Sequence, residues 1–180
     1  TFSGGMDIND GTVVASHADA LGGSGNTVTI NKGKLEVSSG VTLTNNTIQG
    51  GSGKSLIGGD GVAGTIRIGS DANEIDYISP GRGISSSLTP SVKQVDLDAK
   101  SGADAIGSFT ATDLFLNGGG VFDWQIQNFT GGAGGAGSNY DVLNFNQLTF
   151  ESGQTFTINL MAVNSTSGSA GAPDNQANIL

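Results

Sequence analysis

The chain repeats itself at a step of 22 residues. Met6-Asp7-Ile8-Asn9-Asp10-Gly11-Thr12-Val13-Val14-Ala15-Ser16 aligns with Val28-Thr29-Ile30-Asn31-Lys32-Gly33-Lys34-Leu35-Glu36-Val37-Ser38, keeping Ile, Asn, Gly and Ser in place and apolar residues at the first and eighth positions. Each copy reads as strand, Asn-x-Gly turn, strand. A unit this short cannot bury its own apolar side, so a neighbouring copy has to roof it, and the fold is constrained to a stack of similar units.

Further short strands are expected at 41–43, 65–68, 95–98, 113–116, 122–126, 143–145 and 155–160, all with a period of two. Strict alternation puts Phe122, Trp124 and Ile126 on one face and Asp123, Gln125 and Gln127 on the other; Phe156, Ile158 and Leu160 stand likewise against Thr155, Thr157 and Asn159. No helical period holds over ten residues, and Ser16 to Leu21 is too short to be more than a turn. One-faced strands at this spacing suit a sandwich or a solenoid, and the repeat decides between them. The expected fold is all-β: a right-handed parallel β-helix (β-solenoid) with coils of about 22 residues, strands stacked about 4.8 Å apart, and glycine-rich turns. About eight such coils would span roughly 35 to 40 Å. The solenoid is expected over 1–163, with its clearest repeats in 1–50, C-terminal coils in 95–163 and its least regular coil between Ser70 and Pro90. Gly131 to Gly137 reads as an exposed loop, and 164–180 as a polar terminal segment or connection.

Composition agrees with a folded chain that turns often. Thirty-one glycines accompany three prolines, yet glycine does not fall at every third place, which excludes collagen. Val, Ile, Leu and Phe recur in short alternating runs, which excludes disorder. A formal charge of −9 repels phosphate backbones, so nucleic acid is not an expected partner. There is no cysteine, hence no disulfide and no thiolate metal site. No window reaches the length of an apolar membrane helix, and Thr1-Phe2-Ser3-Gly4 lacks the basic and apolar parts of a signal peptide; the chain is expected to be a section of something longer.

Phe2-Ser3-Gly4-Gly5, Ile8-Asn9-Asp10-Gly11-Thr12, Ala20-Leu21-Gly22 and Val28-Thr29-Ile30-Asn31-Lys32-Gly33 together resemble the autotransporter-associated β-strand repeat of bacterial surface proteins, over about the first 50 residues. Leu116-Asn117-Gly118-Gly119-Gly120-Val121-Phe122-Asp123-Trp124-Gln125-Ile126, with Gly137-Ser138-Asn139-Tyr140-Asp141-Val142-Leu143, looks like the segment that follows such repeats, including in proteins that end in a PEP-CTERM sorting signal. The resemblance implies an exported parallel β-helix forming a stalk or fibre outside the cell, and it supplies no catalytic residues.

Several stretches imitate chemistry. Gly50-Gly51-Ser52-Gly53-Lys54-Ser55 ends like a phosphate-binding loop, but Ile48 stands where the first glycine belongs and Gly58-Gly59-Asp60-Gly61 stops any following helix; it reads as a corner with Lys54 in solvent. Asp7-Ile8-Asn9-Asp10-Gly11 fails the EF-hand spacing at Gly11, and Thr27 replaces the ligand aspartate of a calcium β-roll. Asp60, Asp71 and Asp76 are loop acids that could hold calcium weakly or simply be solvated. Asp96 and Asp98 share a strand face near Lys93, Lys100 and Arg82, an arrangement suited to acidic polysaccharides. His17 is the only histidine and has no recognisable Ser or Cys partner. Trp124 reads as core rather than as a sugar platform, and the Asn residues as corners or stacked amide ladders. The sequons at Asn45, Asn128 and Asn164 read as chance matches.

The reading is therefore a noncatalytic extracellular structural or adhesive β-helix of a bacterial surface or secreted protein, with self-assembly into fibres by end-to-end or lateral association. No catalytic, cofactor-binding or metal residue is assigned, and no cofactor is expected. Surface glycans are the other partner considered, and a polysaccharide-binding or polysaccharide-cleaving β-helix is the alternative.

Overall fold

The computed structural model describes residues 2–81, 106–126, 139–151 and 153–162. Among these the chain is all-β, without a helix. The strands are β1 (Met6–Ile8), β2 (Thr12–Ala15), β3 (Thr27–Ile30), β4 (Gly33–Val37), β5 (Thr42–Leu43), β6 (Thr47–Gly50), β7 (Ser55–Gly59), β8 (Val62–Ile68), β9 (Tyr77–Pro80), β10 (Ser108–Leu116), β11 (Val121–Ile126), β12 (Val142–Phe150) and β13 (Thr157–Ala162). They form three sheets, ordered β1-β3-β6, β5-β8-β10-β12 and β2-β4-β7-β9-β11-β13, and every pairing between strands is parallel. Neighbours in a sheet thus belong to successive passes of the chain.

The 22-residue alignment is the pairing register itself: Met6 faces Val28, Ile8 faces Ile30, and Val13 faces Leu35. Gly33 faces Ser55 at the same step, and Leu56 faces Tyr77 one residue short of it. Later passes are longer. Val62 pairs with Thr110 and Tyr77 with Val121, whereas Ser108 pairs with Val142 and Val121 with Thr157. Among the described residues the deepest sheet holds six strands, spanning roughly 24 Å at the usual strand separation, against the expectation of about eight coils.

Constant register turns the core into columns. Val13, Leu35, Ile57, Ile78, Phe122 and Ile158 run through all six strands of the largest sheet, with Leu35, Ile57 and Ile78 fully buried. Ile66 and Leu114 face Leu148 in the second sheet, and Ile8 and Ile30 stack in the third. Each buried aliphatic side chain contributes about 1.5–3 kcal/mol of transfer free energy, and here it gains that mainly from residues one pass away. Side-chain ladders accompany the backbone ones: Asn31 Nδ2 donates to Asn9 Oδ1 at 2.9 Å, and Gln49 Nε2 to Thr29 Oγ1 at 3.1 Å. The first is the stacked-amide ladder expected of this asparagine.

β8 and β10 change phase at the same place. Ala63 and Ala111 point inward as a pair, but the next inward pair is Ile66 with Leu114. Gly64 and Thr112 occupy the bend between them, and Thr112 Oγ1 donates to the Ala63 carbonyl at 3.3 Å.

Three strands escaped the pattern reading. β6, β7 and β9 lie where alternation was not evident, and β7 and β9 are buried at every position. The expected strand at 95–98, the loop at 131–137 and the segment 164–180 lie outside the described residues, as does most of the boundary between the two halves of the expected solenoid.

Candidate functional site

The glycine-rich corner is the first place to look for chemistry. Gly51 to Lys54 connects β6 to β7, and a Cβ on Gly53 would collide with the Asn31 backbone of the preceding pass, so glycine is needed there for stacking. Lys54 is not simply solvated, as the sequence suggested: its side chain is half exposed and its Nζ lies 2.9 Å from Asp76 Oδ1. Asp76 Oδ2 in turn accepts hydrogen bonds from Ser55 N and Ser55 Oγ, both at 2.9 Å, while Asp76 N donates to Ser55 Oγ at 3.0 Å. The pair with Asp76 holds the Lys54 pKa above the ordinary lysine value. One pass earlier, Lys32 Nζ lies 3.3 Å from Asp10 Oδ2. The main-chain bond from Gly11 and the ammonium of Lys32 hold the Asp10 carboxyl below its usual range. The corner therefore carries a column Asp10, Lys32, Lys54, Asp76, in which each lysine turns toward the acid at its own end.

A cavity of about 310 Å³ opens beside this column, lined by Lys32, Ser52, Lys54, Ser70, Asp71 and Glu74 among others. Its charges are mixed, and Glu74 is already held by Asn117 Nδ2 and the Asp71 amide. No helix N-terminus points into it, so it lacks the convergent amides of a nucleotide loop. A second cavity of about 410 Å³, lined by Thr44, Asn45, Gln49, Thr65, Arg67 and Asn73 among others, is uncharged except for Arg67. The Arg67 guanidinium sits 3.9 Å from the centre of the Phe115 ring on the next pass.

The more unusual chemistry is in the largest sheet, whose second face is also buried. Lys34 and Glu36 form a 3.0 Å ion pair with both side chains inside the protein. Leu56 and Tyr77 follow in the same column as Lys34, and burial pushes the Tyr77 phenol up. On β11, Asp123 and Gln125 were expected in solvent. They are 1% and 0% exposed, while Phe122 and Trp124 are only half-buried. This overturns the face assignment: Phe122 does pack on the core, but the opposite face is dry as well. Trp124, expected as core, is instead half-buried at its edge, stacked on Phe122 with ring centres 6.5 Å apart and its Nε1 donating to the Asp141 carbonyl at 2.9 Å.

Asp141 extends the backbone pairing with a side chain. Gly107 N donates to its Oδ1 and Gln125 N to its Oδ2, both at 2.9 Å, which ties the starts of β10 and β12 to β11. Burial nonetheless drives its carboxyl up to about 8. Asp123 Oδ1 accepts from Asn159 Nδ2 at 2.8 Å, and Gln125 Nε2 donates to Ser79 Oγ at 3.2 Å. Among the described residues Asp123 Oδ2 and Gln125 Oε1 have no hydrogen-bond partner, two buried acceptors on one strand face; burial raises the Asp123 pKa to about 6. A buried acceptor without a donor costs about 1–3 kcal/mol, more if charged.

The residues singled out in the sequence do not converge. Asp96, Asp98, Lys93, Lys100 and Arg82 lie outside the described residues. His17 is exposed in a turn, 4.0 Å from Asp19. Asp71 and Asp76 both reach the smaller cavity, but Asp60 instead accepts from Ser108 N at 3.0 Å. Among the described residues no three His, Asp or Glu side chains are grouped to hold a metal ion, and no helix is long and apolar enough to cross a membrane. Sequence reasoning missed Asp141, Asp123 and Gln125 as buried polar groups. No local pattern marks Asp141, whose partners Gly107 and Gln125 lie 34 and 16 residues away.

The geometry defines an all-β protein of parallel sheets whose polar groups mostly bond from one pass to the next. No family model, curated protein or solved structure matches the chain.

Proposed function

We propose that the chain is a noncatalytic structural or adhesive element of a bacterial surface or secreted protein, its passes being coils of a right-handed parallel β-helix. The observation that carries this reading is the unbroken parallel register of the six-stranded sheet, in which each pass roofs the one before it. Such a stack is lengthened simply by adding passes, which suits a stalk or fibre. Its polar side chains are largely spent on ladders and corners: Lys54 on Asp76, Asn31 on Asn9, and Asp141 on two backbone amides. The resemblance of 1–50 to the autotransporter-associated repeat points the same way.

The test is an antibody raised against this chain and applied to intact source cells under the electron microscope. Labelling of fibres or of a peripheral layer on unpermeabilised cells is expected. Labelling seen only after permeabilisation would refute the reading. The alternative, a glycan-active β-helix, keeps one supporting observation in the uncharged groove beside Arg67. It is tested by glycan binding and turnover before and after alanine replacement of Asp96 and Asp98.

A further inference from the structure

We infer that the end of the stack made by β12 and β13 is a self-pairing surface, on which two copies of this chain join end to end with each strand antiparallel to its own copy. The inference rests on the stacked-coil reading and names the partner and the surface.

β12 and β13 are terminal strands, each with one neighbour in its sheet among the described residues. Along its free edge a strand presents main-chain N–H and C=O groups ready to pair, and folded proteins ordinarily blunt such edges with charge, proline or a bulge. Neither Val142-Leu143-Asn144-Phe145-Asn146-Gln147-Leu148-Thr149-Phe150 nor Thr157-Ile158-Asn159-Leu160-Met161-Ala162 holds a charged residue or a proline. The same end carries three large exposed apolar side chains, Phe145 at 42%, Phe150 at 62% and Ile158 at 57%. Each finishes a buried column: Phe145 follows Leu43, Ala63 and Ala111, Phe150 follows Ile68 and Leu116, and Ile158 follows Ile78 and Phe122. They point toward the interior of the stack, and no pass among the described residues roofs them.

Charge and shape select the occupant. The whole chain carries −9, yet the two edge strands hold no charge: of the acids flanking β12, Asp141 is buried and the Glu151 carboxylate is turned back to accept from Gly118 N at 3.0 Å, so few like charges face each other where two copies meet. The opposite end bears the exposed Asp7 on β1, a like charge that disfavours joining that end to itself. Joining head to tail is a poor match as well: the first passes run through three sheets at steps of 20 to 22 residues, the last through two at 34 to 36. A two-fold contact needs only that the patch complement itself, which an uncharged strand pair with apolar ends does.

The test is sedimentation velocity of the full 180-residue chain from micromolar to sub-millimolar concentration. A monomer–dimer equilibrium is expected. Asn144→Lys with Gln147→Lys adds charge at two exposed edge positions, and a lysine at 147 gains Asp113 as its neighbour, so the fold is retained by circular dichroism. This variant is expected to weaken dimerisation about tenfold or more; should it unfold, Asn144→Lys alone carries the same test. Asp7→Lys, at the other end, is expected to leave the dimer unchanged. Three outcomes would overturn the inference: a monomer at every concentration, a dimer indifferent to the edge lysines, or a monomer that dimerises only when 163–180 are removed, which would make the chain's own tail the occupant. Any of these leaves the cell-surface reading standing, because that is judged on intact cells.

Discussion

Asp123→Asn should make this protein more stable, and by an amount that depends on pH. In the native chain Asp123 is buried and its carboxyl titrates near 6, against about 3.9 for an unfolded aspartate. A raised native pKa means that the folded state binds the proton more tightly than the unfolded one. Holding the group ionised therefore destabilises the fold above the native value, and the penalty is relieved as pH falls through about 6 toward 4. A shift of about two units corresponds to roughly 3 kcal/mol, an upper figure because the buried site can relax. Asparagine removes the charge, keeps an oxygen to accept from Asn159, and replaces the unpartnered Oδ2 with a donor on the same strand face as the unpartnered Gln125 Oε1. Thermal unfolding followed by circular dichroism at pH 8 should give a midpoint several degrees higher for the variant, since 1 kcal/mol moves a chain of this size by about 2–4 °C. At pH 4 the two proteins should melt together within a degree or so. A variant less stable than the parent at pH 8, or an advantage equally large at pH 4, would refute the assignment of Asp123 as a buried, strained carboxylate.

Three other substitutions probe the stacking. Gly59→Ala forces a side chain onto a residue with φ of 104° and into the Val37 carbonyl of the preceding pass, so urea denaturation should show a loss of more than about 2 kcal/mol. Lys34→Met alone should cost about 1.5–3 kcal/mol because it removes the 3.0 Å charged bond to Glu36, and adding Glu36→Leu should cost less than the two single changes summed in the same assay. Trp124→Phe removes the bond to the Asp141 carbonyl and should lower stability by about 1 kcal/mol; an unchanged denaturation midpoint would mean that the indole does not anchor β12.

The parts of the fold legible in the sequence are those where one pass copies another. Asn9 and Asn31 occupy equivalent corners, and the alignment that pairs them is the observed register. The parallel sheets were legible for the same reason, whereas the strand containing Phe122, Trp124 and Ile126 was legible from its alternation. What failed was the inference from alternation to solvent. A polar residue alternating with apolar ones is assigned outward only if the second face of the sheet is wet, and at Lys34, Glu36, Asp123 and Gln125 it is not. Burial of that face depends on chain far away in sequence, which no local pattern records. β7 was hidden because Ser55-Leu56-Ile57-Gly58-Gly59 is dry on both sides and has nothing to alternate with. Asp141 was illegible for a different reason: its role is to bond two amides on other strands, and only the folded chain brings those within reach.

The parallel register also fixes how the molecule yields to force. When it is pulled along the direction in which its strands stack, the hydrogen-bonded pairs are loaded in series, so they open one after another as a zipper does. Each early pass that lets go frees 20 to 22 residues, about 70 Å of contour, and each late one frees half as much again or more. Under tension the chain would lengthen in many small, reclosable steps, absorbing work at low load instead of rupturing at a single high one.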